Sequence, residues 1–259
     1  MGVHCCFSTD EKKVPTPRIH VPLAGKCSMG CVYCGYRFDG NITSSVLRPG
    51  VAGRVVSSYE DIEAYLSSAL DKLPSAEIIG VSGPGDPLEN FNELNHLVEI
   101  MRDKWPSKKL CLCTNGRFFF PYGQIVADSG ILKYITFTIN TLDKENLPKI
   151  YNCFSADGCA GESYIEGLIS AISYCKQKGI AVKVNTVLIK GINDAQIESM
   201  FERLRHMGVD CFNLLPHRNV RTEQTDSSTE YWLLRQELQR KGFLLTRHCM
   251  MCRSDYCGE

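Results

Sequence analysis

Six short apolar runs recur along the chain: RIHVPLA (18–24), EIIGVSG (77–83), KKLCLCT (108–114), KYITFTI (133–139), AVKVNTVLI (181–189) and DCFNLLP (210–216). Each is apolar and too short for a buried helix, and four of the six are rich in β-branched residues, so each predicts a strand. Between them, SYEDIEAYLSSALDKL (58–73), NFNELNHLVEIMRDKW (90–105), GESYIEGLISAISYCKQKG (161–179) and NDAQIESMFERLRHMG (193–208) place apolar residues at helical spacing. Ser58 and Asn193 supply N-caps, and Gly179 closes its helix at the C-terminus. Alternating strands and helices predict an α/β fold with a parallel sheet, and right-handed crossovers make it a partial six-stranded (βα)6 barrel. The chemistry of such a fold sits at the C-terminal ends of its strands. The polar segment 218–230 predicts a loop. The expected organisation is an N-terminal extension bearing Cys and His (1–17), a barrel domain (18–245) and a Cys-rich C-terminal tail (246–259).

Length agrees with one such domain: 259 residues, 44% apolar, with no apolar stretch long enough to span a membrane. Lys and Arg number 29 and Asp and Glu 29, without a basic block, so nothing points to nucleic acid. Small molecules or protein partners are the expected ligands. Fourteen cysteines change the picture. The start MGVHCCFS lacks the apolar centre of a signal peptide, which favours a reducing cytoplasm and thiolate metal ligation over disulfides.

The run GKCSMGCVYCGY sets Cys27, Cys31 and Cys34 directly after the first predicted strand. At this cysteine content roughly 0.04 such triplets arise by chance. Three thiolates at this spacing can each take one iron of a [4Fe-4S] cluster and leave the fourth iron open. An open iron can chelate the amino and carboxylate groups of S-adenosylmethionine (SAM), whose sulfonium bond one electron then breaks to give a 5′-deoxyadenosyl radical. A structural zinc knuckle is the competing reading, but zinc wants a fourth ligand close by.

This spacing resembles the signature of the radical SAM superfamily. The resemblance implies further SAM contacts at strand C-termini. Gly83, Pro84, Gly85 and Asp86 resemble the glycine-rich segment that receives the SAM amine, with Asp86 as anionic partner. Thr114, Asn115 and Gly116 after the third strand and Asn140 after the fourth offer polar groups for carboxylate and ribose. The fifth strand carries Asn185 and Val187 into a stretch, up to Ile192, that resembles an apolar adenine-binding segment. Taken singly, each of these is as readily a turn or cap residue.

Longer segments narrow the resemblance. HCCFSTDEKKVPTPRIHVPLAGKCSMGCVYCGYRFDGN, RPGV (48–51), GPGDPLEN, LCTNG, ITFTIN, VNTVLIKGIND and RHCMMCRSD together resemble the NifB family of nitrogenase cofactor biosynthesis proteins. That resemblance implies fusion of two [4Fe-4S] units, with methyl transfer from SAM and carbide insertion. It implies two additional [4Fe-4S] clusters held by His4, Cys6, Cys111, Cys249 and Cys252. Fe–S donor and cofactor-carrier proteins are further expected partners, and because a reduced cluster with an open iron is oxygen-labile, its chemistry implies an oxygen-protected cytoplasm and an electron donor such as ferredoxin or flavodoxin. Two departures stand out: Gly40 occupies a position where the family carries a cysteine, and NITSSVL lacks the family's acidic residue. Cys5, Cys113 or Cys257 are the thiols available to compensate.

Two other functions stay open on the sequence: a radical SAM maturase of a peptide or pterin-type cofactor with an auxiliary cluster, and a non-catalytic iron–sulfur or zinc protein. Cys175 and Cys211 fall on apolar faces and are expected to be buried hydrophobes. Cys153 and Cys159 fall in a loop, His20 and His96 are expected to be structural, and His217 falls at the active end of the sixth strand.

Overall fold

The computed structural model describes Phe7 and residues 17–23, 25–34, 58–83, 85–154, 158–217 and 229–246. Strands β1 (Arg18–His20), β2 (Ile78–Val81), β3 (Lys109–Thr114), β4 (Leu132–Thr138), β5 (Ala181–Leu188) and β6 (Cys211–Pro216) form one sheet in sequence order. Every neighbouring pair is parallel. The helices are α1 (Tyr59–Lys72), α2 (Phe91–Lys104), α3 (Gln124–Asp128), α4 (Leu147–Ile150), α5 (Gly158–Gln177), α6 (Ile197–His206) and α7 (Thr229–Arg240). All six expected strands are present and the architecture is the expected partial barrel, with β1 and β6 as its edges. Among the described residues no helix is long and apolar enough to cross a membrane.

The two faces of the sheet differ in chemistry because side chains alternate along each strand. Ile79, Val81, Leu110, Leu112, Ile135, Phe137, Val182, Val184 and Leu214 enter one core with Ile62 and Leu66 of α1, Leu94 and Leu97 of α2, Leu168 and Ile172 of α5 and Phe201 of α6. On the other face the register aligns His20 with Gly80 and Cys111, and Cys113 with Thr136, Lys183 and Cys211. Helix-facing positions are hydrocarbon; lumen-facing ones carry an imidazole, thiols, a hydroxyl and an ammonium.

Cap chemistry explains the helix ends. Ser58 Oγ accepts from Asp61 N at 3.0 Å as expected. After α5, Ile180 N reaches back to Cys175 O at 2.9 Å, closing the helix at Gly179. Cys175 and Cys211 are buried, and burial pushes both thiols up to about 12, so they stay protonated.

Five details depart from expectation. Helix α5 begins at Gly158 rather than residue 161, so Cys159, expected in a loop, lies within it. Strand β1 ends at His20 rather than residue 24, although Val21 N still reaches Gly80 O at 2.9 Å. Thr229 and Glu230 begin α7 instead of closing a loop, while 218–228 lie outside the described residues. Helix α7 buries only Tyr231 and Leu238 and leaves Trp232 and Leu233 exposed, so no amphipathic stripe announced it. Asn193 does not cap α6 through its side chain. Instead its Oδ1 accepts from Ile189 N at 2.7 Å and its Nδ2 donates to Val187 O at 2.8 Å and Asn140 O at 2.9 Å.

After α7, Phe243 packs on Phe201 and Phe212. Leu244–Thr246 then runs along the outer edge of β6, with Phe212 N donating to Leu244 O and Thr246 N to Phe212 O. The bridge between Phe212 and Leu245 is parallel, so Leu244–Thr246 runs in the same direction as β6.

Because Asn193 satisfies three buried backbone groups, Asn193→Ala should lower stability by about 2 kcal/mol or more. Equilibrium urea unfolding of the anaerobic protein checks this; a change within error would mean that water replaces the amide.

Candidate active site

The loop 25–34 has no regular structure of its own and is held from both sides. On one side, Lys26 O accepts from Asp86 N at 2.8 Å, Gly25 N donates to Asn90 Oδ1 at 3.0 Å, and Ser28 N donates to Glu89 at 2.8 Å. On the other, Val32 N donates to Ile150 O at 3.0 Å, Asn152 N to Gly30 O at 3.0 Å and Cys153 N to Met29 O at 3.4 Å. Exposure alternates between these clamps: Lys26, Ser28, Gly30 and Val32 face solvent while Met29 and Tyr33 are buried and the thiols are half-buried.

Gly85 allows the first clamp. A Cβ there would lie 2.2 Å from Lys26 O, a backbone atom that cannot step aside without moving the loop. Gly30 adopts φ +62°, the left-handed region that lets the chain turn between Met29 and Cys31.

Asp86 is 4% exposed and its carboxylate accepts from Leu88 N at 2.9 Å, Thr114 Oγ1 at 2.8 Å and Asn115 N at 2.6 Å. These bonds join the ends of β2 and β3 beneath the thiol loop. Burial outweighs them and raises the carboxyl from 3.8 to about 6. Asn115 also reaches the loop, its Nδ2 lying 3.8 Å from Cys27 Sγ.

Asn140, fully buried, forms a second node. Its Nδ2 donates to Tyr33 OH at 2.8 Å and Tyr151 OH at 2.9 Å, and its Oδ1 accepts from Val187 N at 2.8 Å. The thiol loop, the end of β4 and the end of β5 therefore meet on one amide. Neither the Asp86 carboxylate nor the Asn140 amide, expected as open SAM contacts, stands free: both are committed inside the protein, because each strand end has backbone groups to satisfy.

Cys27, Cys31, Cys34, Gly83, Gly85, Asp86, Thr114, Asn115, Asn140, Asn185 and Val187 all lie on or beside the C-terminal ends of β1 to β5. His217 follows the last residue of β6. Pro84, His4, Cys6, Cys249, Cys252, Gly40, Cys5 and Cys257 lie outside the described residues. Cys111 and Cys113 point into the lumen, where His20, Thr136, Lys183 and Asn185 line the same cavity. Lys183 is 3% exposed and its ammonium lies 5.3 Å from the centre of the Phe7 ring. Phe7 itself packs against Ile78, Cys111 and Cys211 at the base of the lumen. The lumen roles of His20 and Lys183 were missed from the sequence; the signal was a polar residue at alternate positions of an otherwise apolar strand.

Three thiols spread along one loop fit a cluster, which would take each thiolate on a separate iron. Cys27 is driven well above the usual thiol range by burial first and then by Asp86, with Glu89 and Cys34 adding to it. A thiol so placed would lose its proton to solvent only when a cation such as iron bound the sulfur in exchange.

Three thiols on one strand-end loop, clamped over a parallel half-barrel, define a radical SAM protein. Residues 21–204 match the family model described as the radical SAM superfamily, and the chain belongs to it. Within that superfamily it belongs with the NifB proteins. It is 32% identical to the FeMo cofactor biosynthesis protein NifB of Chlorobaculum tepidum over 98% of this chain and 61% of that one. The Klebsiella pneumoniae NifB is also 32% identical, over 99% of this chain and 57% of its own length. The Methanocaldococcus jannaschii NifB is 30% identical over 99% of this chain and 86% of that one. The chain thus spans less than two thirds of the first two relatives. Among solved structures, Streptococcus suis SuiB superposes with a TM-score of 0.61 at 16% identity, over 93% of this chain and 52% of its own. Methylornithine synthase PylB does so at 0.55 and 14%, over 88% and 63%.

Two outcomes test the Asp86 clamp. Gly85→Ala should displace Lys26 and leave the anaerobically reconstituted protein with less iron bound to the loop, read by iron analysis. In the cluster-free chain Asp86 binds its proton more tightly folded than unfolded. Its contribution to stability is therefore full below 3.8 and is lost as pH rises through about 6. The stability of the parent relative to Asp86→Asn should accordingly fall between pH 4 and pH 7 in urea titrations.

Proposed function

We propose that this chain assembles a complex iron–sulfur cofactor: one SAM gives up its methyl and leaves as S-adenosylhomocysteine, a second is cleaved reductively to methionine and a radical that abstracts hydrogen from that methyl, and two [4Fe-4S] clusters are fused with the methyl carbon inserted as carbide. The observation that supports this most is the thiol-bearing lumen and its neighbours in sequence: Phe7, the residue after Cys6, packs against Cys111, and Leu245, four positions before Cys249, pairs in parallel with Phe212 of β6.

In this reading Cys27, Cys31 and Cys34 hold the SAM cluster. When bound, that cluster supplies the electron that breaks the sulfonium bond of SAM. The backbone of Ser82, Gly83 and Gly85, with Pro84, receives the SAM ammonium. Asp86 acts from beneath as a buried negative charge and fixes the height of the thiol loop. Thr114 and Asn115 position the carboxylate end, and Asn140, Asn185 and Val187 frame the ribose and adenine side. Asn140 does so by locking Tyr33 and Tyr151.

His4, Cys6, Cys111, Cys249 and Cys252 hold the two precursor clusters, which are substrate rather than resident cofactor. Cys113, facing the lumen two residues after Cys111, supplies the thiolate that Gly40 lacks. Thiolate-ligated clusters are anionic, and the buried Lys183 ammonium offsets that charge within the lumen. A ferredoxin or flavodoxin supplies electrons, iron–sulfur donor and cofactor-carrier proteins deliver and receive clusters, and the reaction runs in an oxygen-protected cytoplasm.

Anaerobic reconstitution should give about twelve irons per chain and, on reduction with dithionite, both 5′-deoxyadenosine and S-adenosylhomocysteine. Cys249→Ala/Cys252→Ala should lose iron and S-adenosylhomocysteine while keeping 5′-deoxyadenosine. About four irons in the parent protein, with no S-adenosylhomocysteine, would overturn the assembly reading.

A further inference from the structure

Resting on the reading above that the lumen receives the substrate clusters, we infer that Phe7 is a positioning residue: its ring closes the N-terminal end of the lumen and holds the Lys183 ammonium toward the cavity where those clusters bind. The neighbours of Phe7 set its place. Ile78, Ala181 and Cys211 are the first residues of β2, β5 and β6, and Cys111 and Tyr134 are each the third of β3 and β4. The thiol loop stands at the opposite ends of the strands. The ring is 7% exposed, although it belongs to a segment well ahead of β1 in the chain. Tyr134 packs on it with ring centres 5.3 Å apart and planes tilted by 51°, which sets the direction its face presents.

Two side chains touch both the ring and the cavity above it. Cys111 packs on Phe7 and lines the cavity. Lys183, level with Thr136 and Cys211 in the sheet, lines it too, and its Nζ lies 5.3 Å from the centre of the Phe7 ring. A lysine stem is four flexible carbons long and turns its ammonium toward water wherever water is within reach. At this end of the lumen Tyr134 and Ala181 are only half-buried, so water is near. Phe7 covers that side and offers the cation the electron-rich face of its ring. A fixed ammonium has a chemical consequence. Burial raises the Cys211 thiol, and Lys183 is the charge that most opposes the rise, so its field acts on sulfur at the base of the lumen. A thiolate-bound cluster gains one more negative charge on reduction, and a neighbouring cation in a dry setting favours that reduced form. Phe7 acts on the cluster through Lys183, by keeping the cation in place and water out.

Two measurements test this, one of them without any cluster. In the cluster-free chain, labelling of lysines by a water-soluble amine reagent is followed peptide by peptide with mass spectrometry. Lys183, 3% exposed in the parent, should label at least about tenfold faster in Phe7→Ala. Exposed Lys72 should label at the parent's rate, and Phe7→Tyr should restore the protection of Lys183. In the anaerobically reconstituted chain, the EPR signal that SAM leaves unaltered reports the lumen clusters, and at one fixed solution potential it gives their ratio of reduced to oxidised form. Lys183→Met should lower that ratio at least about tenfold, which is about 59 mV for one electron. Phe7→Ala should lower it about threefold or more, while Lys183→Arg and Phe7→Tyr keep it near the parent's. Phe7→Ala added to Lys183→Met should lower it no further, because the ring acts through the cation. The ratio is taken per cluster retained, so a loss of iron leaves the comparison intact. Unchanged labelling of Lys183 in Phe7→Ala, or a Phe7→Ala effect that persists in full without Lys183, would overturn the role of Phe7. About four irons in the parent chain would instead overturn the assembly reading on which the role rests, whatever the labelling shows.

Discussion

Everything at the active end rests on a buried carboxylate. The thiol loop has no ladder of its own, so its height above the sheet is set by what it leans on, and on one side that is the Asp86 segment. Asp86 N binds Lys26 O, while the Asp86 side chain ties Leu88, Thr114 and Asn115 into one bracket across the ends of β2 and β3. A charge without a cation in that position is costly, and its raised pKa records the cost. The gain is geometric: one group defines the loop, two strand ends and the amide that reaches Cys27 Sγ.

The opposite side uses neutral groups for the same purpose. Asn140 and Asn193 together satisfy the backbone where β4 and β5 end, and Tyr33 and Tyr151 are drawn into contact with Asn140. Asparagine suits this work because its amide donates and accepts at once while staying uncharged in an apolar setting. The two sides thus differ in chemistry, a carboxyl group under Cys27 and a neutral cage around Tyr33.

The barrel was legible because each strand is a short apolar run and each of the longer helices before α7 shows its spacing; α7 was hidden because its apolar residues do not share a face. The three thiols were legible from spacing alone. The roles of Asp86, Asn140 and Asn193 were not, since an Asx residue after a strand reads equally as cap, turn or ligand until its neighbours are in place. His20 and Lys183 were hidden for another reason. Which face of a parallel strand looks into the lumen depends on the register with strands far away in sequence, and only the assembled sheet aligns His20 with Cys111 or Lys183 with Cys113 and Cys211.

Among the described residues the sheet does not close on itself: β1 and β6 are its two ends, and Leu244–Thr246 lies against the β6 side. In a sealed barrel the strand number and stagger dictate the radius. An unsealed one can change curvature through small adjustments of twist, without rupturing a single rung between strands. A half-barrel of this kind can fit itself to what its lumen holds while its strand pairing stays intact.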